Sequence, residues 1–184
     1  MSSPVAHTLL GYACVRRPAA SNGLRGLGLL VATLLLANAP DLDFVPGLFE
    51  GHARAYHRGW THSLAATVLA GVAGGAVLRR WLGSFRTGFM VALLLYGSHV
   101  VLDTLTPDTR DEAGVPLFWP STVHVYWPLP GLASMRLALE LSVGDSPGHF
   151  FRDLLGVAAL RVFALEALIF GPLAGIALLL DRRS

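Results

Sequence analysis

This chain has little charge and no lysine. Only 14% of its 184 residues are charged, against about 25% in ordinary soluble domains, and all 14 basic residues are arginine. Apolar residues make up 53%, and the mean hydropathy is +0.55, which excludes an ordinary soluble domain. A formal net charge of +2 gives no case for a nucleic-acid partner. The single cysteine, Cys14, excludes an intramolecular disulfide framework and a cysteine-rich zinc module.

The apolar residues are gathered into four long runs. A transmembrane helix needs about 20 residues, and these runs are slightly shorter, so their helices are expected to continue into the polar flanks. The runs cover residues 26–40, 63–78, 87–102 and 162–180. Residues 4–15 form a shorter apolar stretch whose arginines follow rather than precede it, which excludes a secretory signal. This stretch is predicted to be a re-entrant or half-buried helix.

The sequence therefore predicts an all-α membrane protein with about four transmembrane helices and a short N-terminal re-entrant or half-buried helix. One integral-membrane domain spans residues 1–184. Its motif-bearing core is residues 4–120. Residues 121–184 supply an interfacial loop and the last helix, because a loop rich in proline, tryptophan and tyrosine suits the headgroup region.

Arginines indicate the orientation, because cytoplasmic loops carry an excess of basic residues. Eight of them flank the predicted spans on one side: Arg16, Arg17, Arg25, Arg79, Arg80, Arg86, Arg182 and Arg183. Both termini are therefore predicted to be cytoplasmic. The segments 41–62 and 103–153 would then open on the outer side.

Histidines and aspartates lie at the ends of the predicted spans. They are Asp41, Asp43, His57, His62, His99 and Asp103. Two antiparallel crossings bring all six to the same membrane side, and ionisable groups within membrane segments usually have a function. Imidazole and carboxylate are ligands of zinc, manganese and iron. The pattern predicts a site for one or two divalent ions, most simply zinc, with manganese and iron as alternatives.

The individual motifs also have structural interpretations. An Asp-x-Asp pair after a helix often caps it, and His99 and Asp103, four residues apart on one helical face, would also suit a structural hydrogen bond. His57 is placed in the loop and His62 in the first turn of the next helix. Gly59 would allow the bend, and Thr61 would be the N-cap. Their co-location favours the metal site.

Five motifs carry a family resemblance. They are His7–Gly11, Pro40–Asp43, His57–Ser63, His99–Pro107 and Gly114–Pro120. In this order they resemble the motifs of the YdjM-like membrane-bound metal-dependent hydrolases, also described as LexA-binding inner-membrane hydrolases. The resemblance implies a prokaryotic inner-membrane, multi-pass enzyme distantly similar to zinc-dependent phospholipase C. It implies as metal ligands His7, Asp41, His57, His62, His99 and Asp103, with Asp43 as a further candidate. Residues 108–113 depart from the family pattern.

The predicted reaction is hydrolysis by a metal-activated water, with Asp41 or Asp43 receiving the proton. Arg58 would offer a bidentate fork to a phosphate oxygen, or alternatively form an ion pair with Asp41 or Asp43. A phosphoester is therefore the expected bond. Because the site lies at the membrane interface, we expect a lipid or lipid-linked substrate, with membrane lipids as partners.

Two other functions are also considered for this sequence. A metal or ion transporter would also hold histidine and aspartate between helices, although its ligands should lie near the bilayer midplane on broken helices. A non-catalytic scaffold gives no reason for seven converging histidine and aspartate residues. The sequence does not predict the oligomeric state.

Overall fold

The structure, a computed structural model, is mostly helical in the part of the chain that it describes. It describes residues 7–9, 23–52, 55–105 and 114–127, and shorter pieces between 148 and 175. Within these residues the only β pairing is an isolated bridge between Val115 and Val125. The predicted helical character is therefore confirmed for the part of the chain that the structure describes.

The first long helix ends in a sharp bend. Helix α1 spans Gly23–Ala37, a 3-10 helix spans Ala39–Asp43, and helix α2 spans Phe44–Glu50. The helix axis bends by 62° between α1 and the segment Ala39–Glu50. Pro40 occupies the start of the 3-10 helix, where its missing N–H cannot continue the preceding helix. The bend therefore contains both carboxylates of the Asp-x-Asp motif.

The next two helices form a tight hairpin. Helix α3 spans Leu64–Leu82 and helix α4 spans Phe85–Thr104. Gly83 ends α3 in the left-handed conformation, with a φ of 78°. Ser84 then caps α4, because its hydroxyl accepts a 3.0 Å hydrogen bond from the backbone N–H of Thr87. The hairpin brings the start of α3 beside the end of α4.

Glycines allow the two helices of the hairpin to approach closely. A Cβ atom at Gly74 would clash with Ala92, and one at Gly75 would lie 2.8 Å from the ring of Phe85. Small residues serve this purpose in membrane helix pairs, where close van der Waals packing holds the helices together. Helix α1 joins this pair in a core centred on Leu29, Ala92 and Leu78.

A loop, residues 114–127, packs across the start of α3 and the end of α4. Its Val115 is fully buried against Ala66, Tyr96 and Val100. The backbone N–H of Leu64 donates to Leu117 at 2.9 Å, and that of Trp127 donates to Thr104 at 2.8 Å. The loop thus covers the end of the hairpin that carries the histidines and aspartates.

Within the described residues, α4 is the one helix that is long and apolar enough to cross a membrane. Its 20 residues reach about 30 Å at about 1.5 Å per residue, and they include Arg86 and Asp103, so this helix does extend into its polar ends. The bent pair of α1 and Ala39–Glu50 adds a second crossing if it forms one span. Four spans and their orientation remain predictions. Residues 108–113 and most of 4–15 and 162–180 lie outside the described residues.

Candidate metal centre

Four of the predicted ligands converge where α1, the 3-10 helices and α4 meet. Asp41, His62, His99 and Asp103 each offer one ligand atom, and these atoms all lie within 4.8 Å of one another. Nε2 of His99 is 3.3 Å from Oδ1 of Asp41, and Nε2 of His62 is 3.3 Å from Oδ2 of Asp103. Nε2 of His62 is also 3.7 Å from Oδ1 of Asp41. We refer to these four residues as the four-residue cluster.

The facing atoms of the cluster suit a cation. Oδ1 of Asp41 and Nε2 of both His62 and His99 are buried and make no hydrogen bond to the described part of the chain. A buried polar atom without a partner costs about 1–3 kcal/mol, and here three such atoms point at one another. A divalent ion would satisfy all three at once, and two nitrogen and two oxygen donors match zinc, manganese or iron.

His99 is held by the end of α1. Its Nδ1 lies 2.9 Å from the carbonyl oxygen of Ala37. A carbonyl oxygen only accepts, so Nδ1 carries the proton and the lone pair of Nε2 faces the cluster. The i, i+4 spacing places Asp103 on the same face of α4 as His99. Its Oδ2 lies 4.0 Å from Nε2 of His99.

His62 precedes α3 instead of lying in its first turn. It closes the 3-10 helix Trp60–His62, and Ser63 is the N-cap, because its hydroxyl accepts from the backbone N–H of Ala66 at 3.1 Å. The expected N-cap role of Thr61 is therefore wrong. The Thr61 hydroxyl turns toward Asp43 instead, at 2.8 Å.

Asp43 lies beside the cluster and collects hydrogen bonds from the loop. It accepts from the Thr61 hydroxyl and, at 3.4 Å, from the backbone N–H of Gly59. Its other oxygen is 3.2 Å from Nδ1 of His57. Asp43, His57 and His62 form a second group of potential ligands that shares His62 with the first.

Arg58 occupies a strained and buried position. Its φ is +59°, in the left-handed region that non-glycine residues rarely adopt. Its side chain is almost fully buried, with Nε 3.4 Å from Oδ2 of Asp103. The ion pair is thus with Asp103, a partner not predicted from the sequence.

Gly59 has a different role from the one expected. Its φ of −79° is accessible to any residue, so the bend at this point depends on Arg58. A Cβ atom at Gly59 would lie 2.9 Å from the carbonyl oxygen of Tyr56. Glycine is needed here for close approach of the backbone.

His7 reaches the same place from the N-terminal segment. It is 1% exposed, and its ring stacks on that of His99 with centroids 3.8 Å apart. Within the described residues, the two groups of converging ligand atoms do not include His7. The stacked ring of His7 therefore packs against a member of the four-residue cluster.

The two loop histidines have opposite pKa shifts. Burial lowers the pKa of His57, and the nearby carboxylates of Asp43 and Asp41 oppose this effect without reversing it. Burial also disfavours the charged form of His62, but Asp103, Asp41 and Asp43 outweigh it and hold its pKa well above the usual value. Without a metal ion, a proton on His62 therefore supplies positive charge to the carboxylates.

A cleft of about 440 Å³ opens next to these residues. Its outer walls are made by largely exposed residues, namely Leu42, Pro46, Ala55, Tyr56 and Trp60. Its inner end is formed by Asp43, His57, Arg58, Gly59 and Thr61. We call it the apolar cleft. It connects the surface to the polar end of the molecule.

Sequence reasoning missed three groups that hold the site. They are the carbonyl oxygen of Ala37, the hydroxyl of Thr61 and the hydroxyl of Tyr96, which donates to the carbonyl oxygen of Thr61 at 2.7 Å. Thr61 lies next to a predicted ligand, which was the one local signal available. The other two contacts join distant parts of the chain and leave no pattern in the sequence.

Comparison with known proteins identifies the family. The model of the YdjM inner membrane protein family matches residues 1–179. This match extends beyond the five motifs, which end at Pro120, into the C-terminal part of the chain. No curated protein and no solved structure matches the chain. The chain therefore belongs to the YdjM inner membrane protein family.

Proposed function

We propose that this protein is a membrane-embedded, metal-dependent hydrolase that cleaves a phosphoester in a lipid or lipid-linked substrate. The observation that carries the proposal is the four-residue cluster. Three of its facing atoms are buried without a hydrogen bond, namely Oδ1 of Asp41 and Nε2 of His62 and His99. A structural polar network would join such atoms through well-formed hydrogen bonds, whereas both Nε2 atoms lie 3.3–3.7 Å from Oδ1 of Asp41 without forming one.

Zinc is the ion that we assign to the cluster, with manganese or iron as alternatives. Asp41, His62, His99 and Asp103 would hold it. When bound, such an ion supplies a Lewis acid for the phosphoryl oxygen and makes an attacking water acidic at neutral pH. The carboxylates and imidazoles of the chain fix where that chemistry takes place.

Asp41 is the carboxylate that we assign to receive the proton from water. Its side chain is 16% exposed, whereas that of Asp103 is fully buried. Asp43 is already an acceptor for the Thr61 hydroxyl and the Gly59 N–H. We therefore assign Asp43 to holding the loop in place, and Asp41 to proton transfer.

Arg58 is the group that we assign to the phosphate. It forms part of the inner end of the apolar cleft, and a guanidinium offers five N–H donors in a planar fork. The contact between its Nε and Asp103 fixes the orientation of that fork. A preorganised cation stabilises the charge that develops on the phosphoryl oxygens.

The apolar cleft supports a substrate with a hydrocarbon chain. Its volume of about 440 Å³ is within the range of roughly 300–1,000 Å³ common for small-ligand sites. Apolar walls lead inward to Arg58 and His57, which matches a molecule with an apolar tail and an anionic head. At the wall of the cleft the Trp60 ring lies 6.3 Å from that of Trp119, and both are about half exposed. Exposed tryptophans are typical of the membrane interface.

Metal analysis and an activity screen test the main proposal. The full-length protein, purified in detergent, should contain a divalent transition ion, and zinc should restore hydrolysis of phosphatidic acid or a prenyl phosphate after chelation. Bound metal without hydrolysis of any phosphoester would favour a metal-binding or transport protein. Absence of a bound ion in metal-supplemented preparations would overturn the proposal.

A matched pair of variants tests the assignment of the cleft. Leu42 and Leu69 are both 64% exposed, but Leu42 lines the cleft and Leu69 lies on α3. L42W should lower kcat/KM for a long-chain phosphoester by roughly tenfold or more, because a bulky side chain displaces the substrate's methylene groups. L69W should leave it unchanged. Equal kinetics for L42W and L69W would exclude the cleft as the chain-binding site.

A further inference from the structure

A second cleft lies at the end of the helices opposite the four-residue cluster. It has a volume of about 370 Å³ and is formed where the start of α1 meets the end of α3. Its lining residues are Leu24, Arg25, Gly28, Arg80 and Trp81. We call it the arginine cleft. The proposed hydrolysis uses none of these residues.

The arginine cleft carries positive charge that no described carboxylate balances. Arg25 and Arg80 are both exposed, and neither forms an ion pair within the described residues. The carboxylates that the structure describes all belong to the polar end of the molecule, and they are Asp41, Asp43, Glu50 and Asp103. A bound anion would therefore meet two cations without competition from an acidic side chain of the described chain.

The Arg80 side chain is oriented by its own helix. Its Nε donates to the carbonyl oxygen of Val77 at 2.9 Å, and its guanidinium lies over the Trp81 ring, 4.5 Å from the ring centre. A Cβ atom at Gly28 would lie 3.2 Å from Cζ2 of Trp81, so the indole in turn packs on the backbone of α1. These contacts leave the planar Nη1 and Nη2 donors of Arg80 for an anion, and an oriented fork loses less freedom when it binds one.

An apolar strip of α1 leads away from the arginine cleft. Leu24 lines the cleft, and Leu27, Val31 and Leu35 follow it at intervals of three or four residues, which places all four on one face of the helix. All four side chains are exposed. A ligand that contacts both the cleft and the strip needs an anionic head and a hydrocarbon chain, whereas inorganic phosphate would use the cleft alone.

We propose that the arginine cleft binds the headgroup phosphate of an anionic phospholipid, whose acyl chain lies along the apolar strip of α1. The chain belongs to a family of inner membrane proteins, which places phospholipids next to exposed apolar faces such as this strip. Basic pockets between membrane helices suit anionic headgroups, and tryptophan is enriched at the level of the headgroups. The site lies at the other end of the molecule from the metal centre and does not depend on it.

Two matched double variants separate a built site from diffuse positive charge. R25Q/R80Q removes both arginines of the arginine cleft. R79Q/R86Q removes the same charge from exposed residues at the same end of the hairpin that do not line the cleft. Thermal unfolding of each variant without added lipid checks that it folds. If R25Q/R80Q does not fold, the single variants R25Q and R80Q take its place.

Lipid affinity is measured by native mass spectrometry of the full-length protein in detergent. The probes are dioleoylphosphatidylglycerol, the zwitterionic dioleoylphosphatidylcholine, and inorganic phosphate. The wild type should bind phosphatidylglycerol more tightly than phosphatidylcholine and should show no saturable binding of inorganic phosphate at the same concentrations. R25Q/R80Q should bind phosphatidylglycerol about 25-fold more weakly, which is about fivefold per arginine, whereas R79Q/R86Q should keep wild-type affinity.

Each other outcome would overturn the proposal. An equal loss of affinity in the two double variants would mean that lipids are attracted by the basic end as a whole. Unchanged affinity in R25Q/R80Q would exclude the arginine cleft, and equal binding of phosphatidylcholine would exclude selection for an anionic headgroup. Inorganic phosphate that binds as tightly as phosphatidylglycerol would exclude a role for the acyl chain. None of these measurements requires a bound metal or hydrolysis, so the proposed function is tested separately.

Discussion

The body of the helical hairpin and its polar end are stabilised in different ways. In the body, Gly74 and Gly75 let α3 and α4 touch through backbone and small side chains. At the polar end, distances are set by hydrogen bonds from Thr61, Gly59 and His57 to a single carboxylate, that of Asp43. The body of the hairpin is held by close packing, and the polar end by hydrogen bonds among the ionisable groups that could bind a metal ion.

This difference predicts that substitutions in the two regions have separable effects. A larger side chain in the body should lower stability and leave the affinity of the folded molecule for metal unchanged. A substitution at the polar end should change metal binding or catalysis more than it changes folding. The experiments below test this separation, starting with the largest expected effect.

His99→Ala should remove both bound metal and hydrolysis. It deletes one of the four potential metal ligands. The loss of zinc affinity should therefore exceed the roughly 10–100-fold that is typical when a residue that only hydrogen-bonds to a ligand is removed. Metal content by mass spectrometry checks this. Val101→Ala is the control, since Val101 is on the same helix and 56% exposed. Full metal content in His99→Ala would refute the cluster as the metal site.

Arg58→Ala should separate catalysis from metal binding. The donors of the four-residue cluster remain, and a bound cation compensates the charge of Asp103, so metal should be retained. The rate should fall by about 10²–10³, as on removal of a charged or oxyanion-binding donor. Rates and metal content are measured on the same preparation, with Arg86→Ala as the control because Arg86 is exposed. Parallel loss of metal and rate would show that Arg58 acts through Asp103 alone.

Gly74→Ala should destabilise the body of the hairpin. The added methyl group would clash with Ala92, and overpacking of this kind costs about 1–3 kcal/mol. Gly171→Ala is the matched control, because a Cβ atom there meets nothing within 4 Å and alanine is the better helix former. Thermal unfolding in detergent should show a lower Tm for the first and an equal or higher Tm for the second. Equal melting of the two would contradict close packing at Gly74.

Zinc affinity should increase with pH across the neutral range. The pKa of His62 is raised in the metal-free protein, so zinc must displace a proton, and affinity should change by up to about tenfold per pH unit below that pKa. The stability of the metal-free protein should change with pH in the opposite direction and decrease as the pH rises. Protonated His62 stabilises it fully below about pH 6.5, and this contribution is lost as pH rises through the raised pKa.

Calorimetry in buffers of different ionisation enthalpy would detect the released proton. The increase in Tm on adding zinc should likewise be larger at pH 8 than at pH 6. His124→Gln is a suitable control, since His124 belongs to the loop 114–127 and its Nδ1 bonds locally, to the carbonyl oxygen of Thr122. Binding that is independent of pH would mean that His62 is not displaced by the ion.

Much of the helical framework could be predicted from the sequence, because hydrophobic runs and helix-breaking residues act locally. The run at 63–78 begins at the N-cap of α3 and otherwise lies within that helix, and the run at 87–102 lies within α4. The antiparallel arrangement of these helices also predicts that His62 and Asp103 share one end. This inference needs only the number of crossings, and the structure places their facing atoms 3.3 Å apart.

The details of the polar end could not be predicted in this way. The left-handed conformation of Arg58 is disfavoured locally and is adopted within a folded environment that pairs its side chain with Asp103. The acceptor for His99 is a backbone carbonyl group 62 residues away. Tautomers depend on such long-range partners, and residue type and spacing carry no information about them.

The loop 114–127 is attached to the helical hairpin at both of its ends. The backbone N–H of Trp127 donates to the carbonyl oxygen of Thr104 at the end of α4, and Val115 is buried against α3 and α4. Residues inserted between Thr104 and Val115 should therefore add little free-energy cost, since doubling the length of a loop costs only about 0.6 kcal/mol. A change in the length of this connection is thus expected to leave the donor atoms of the four-residue cluster in place.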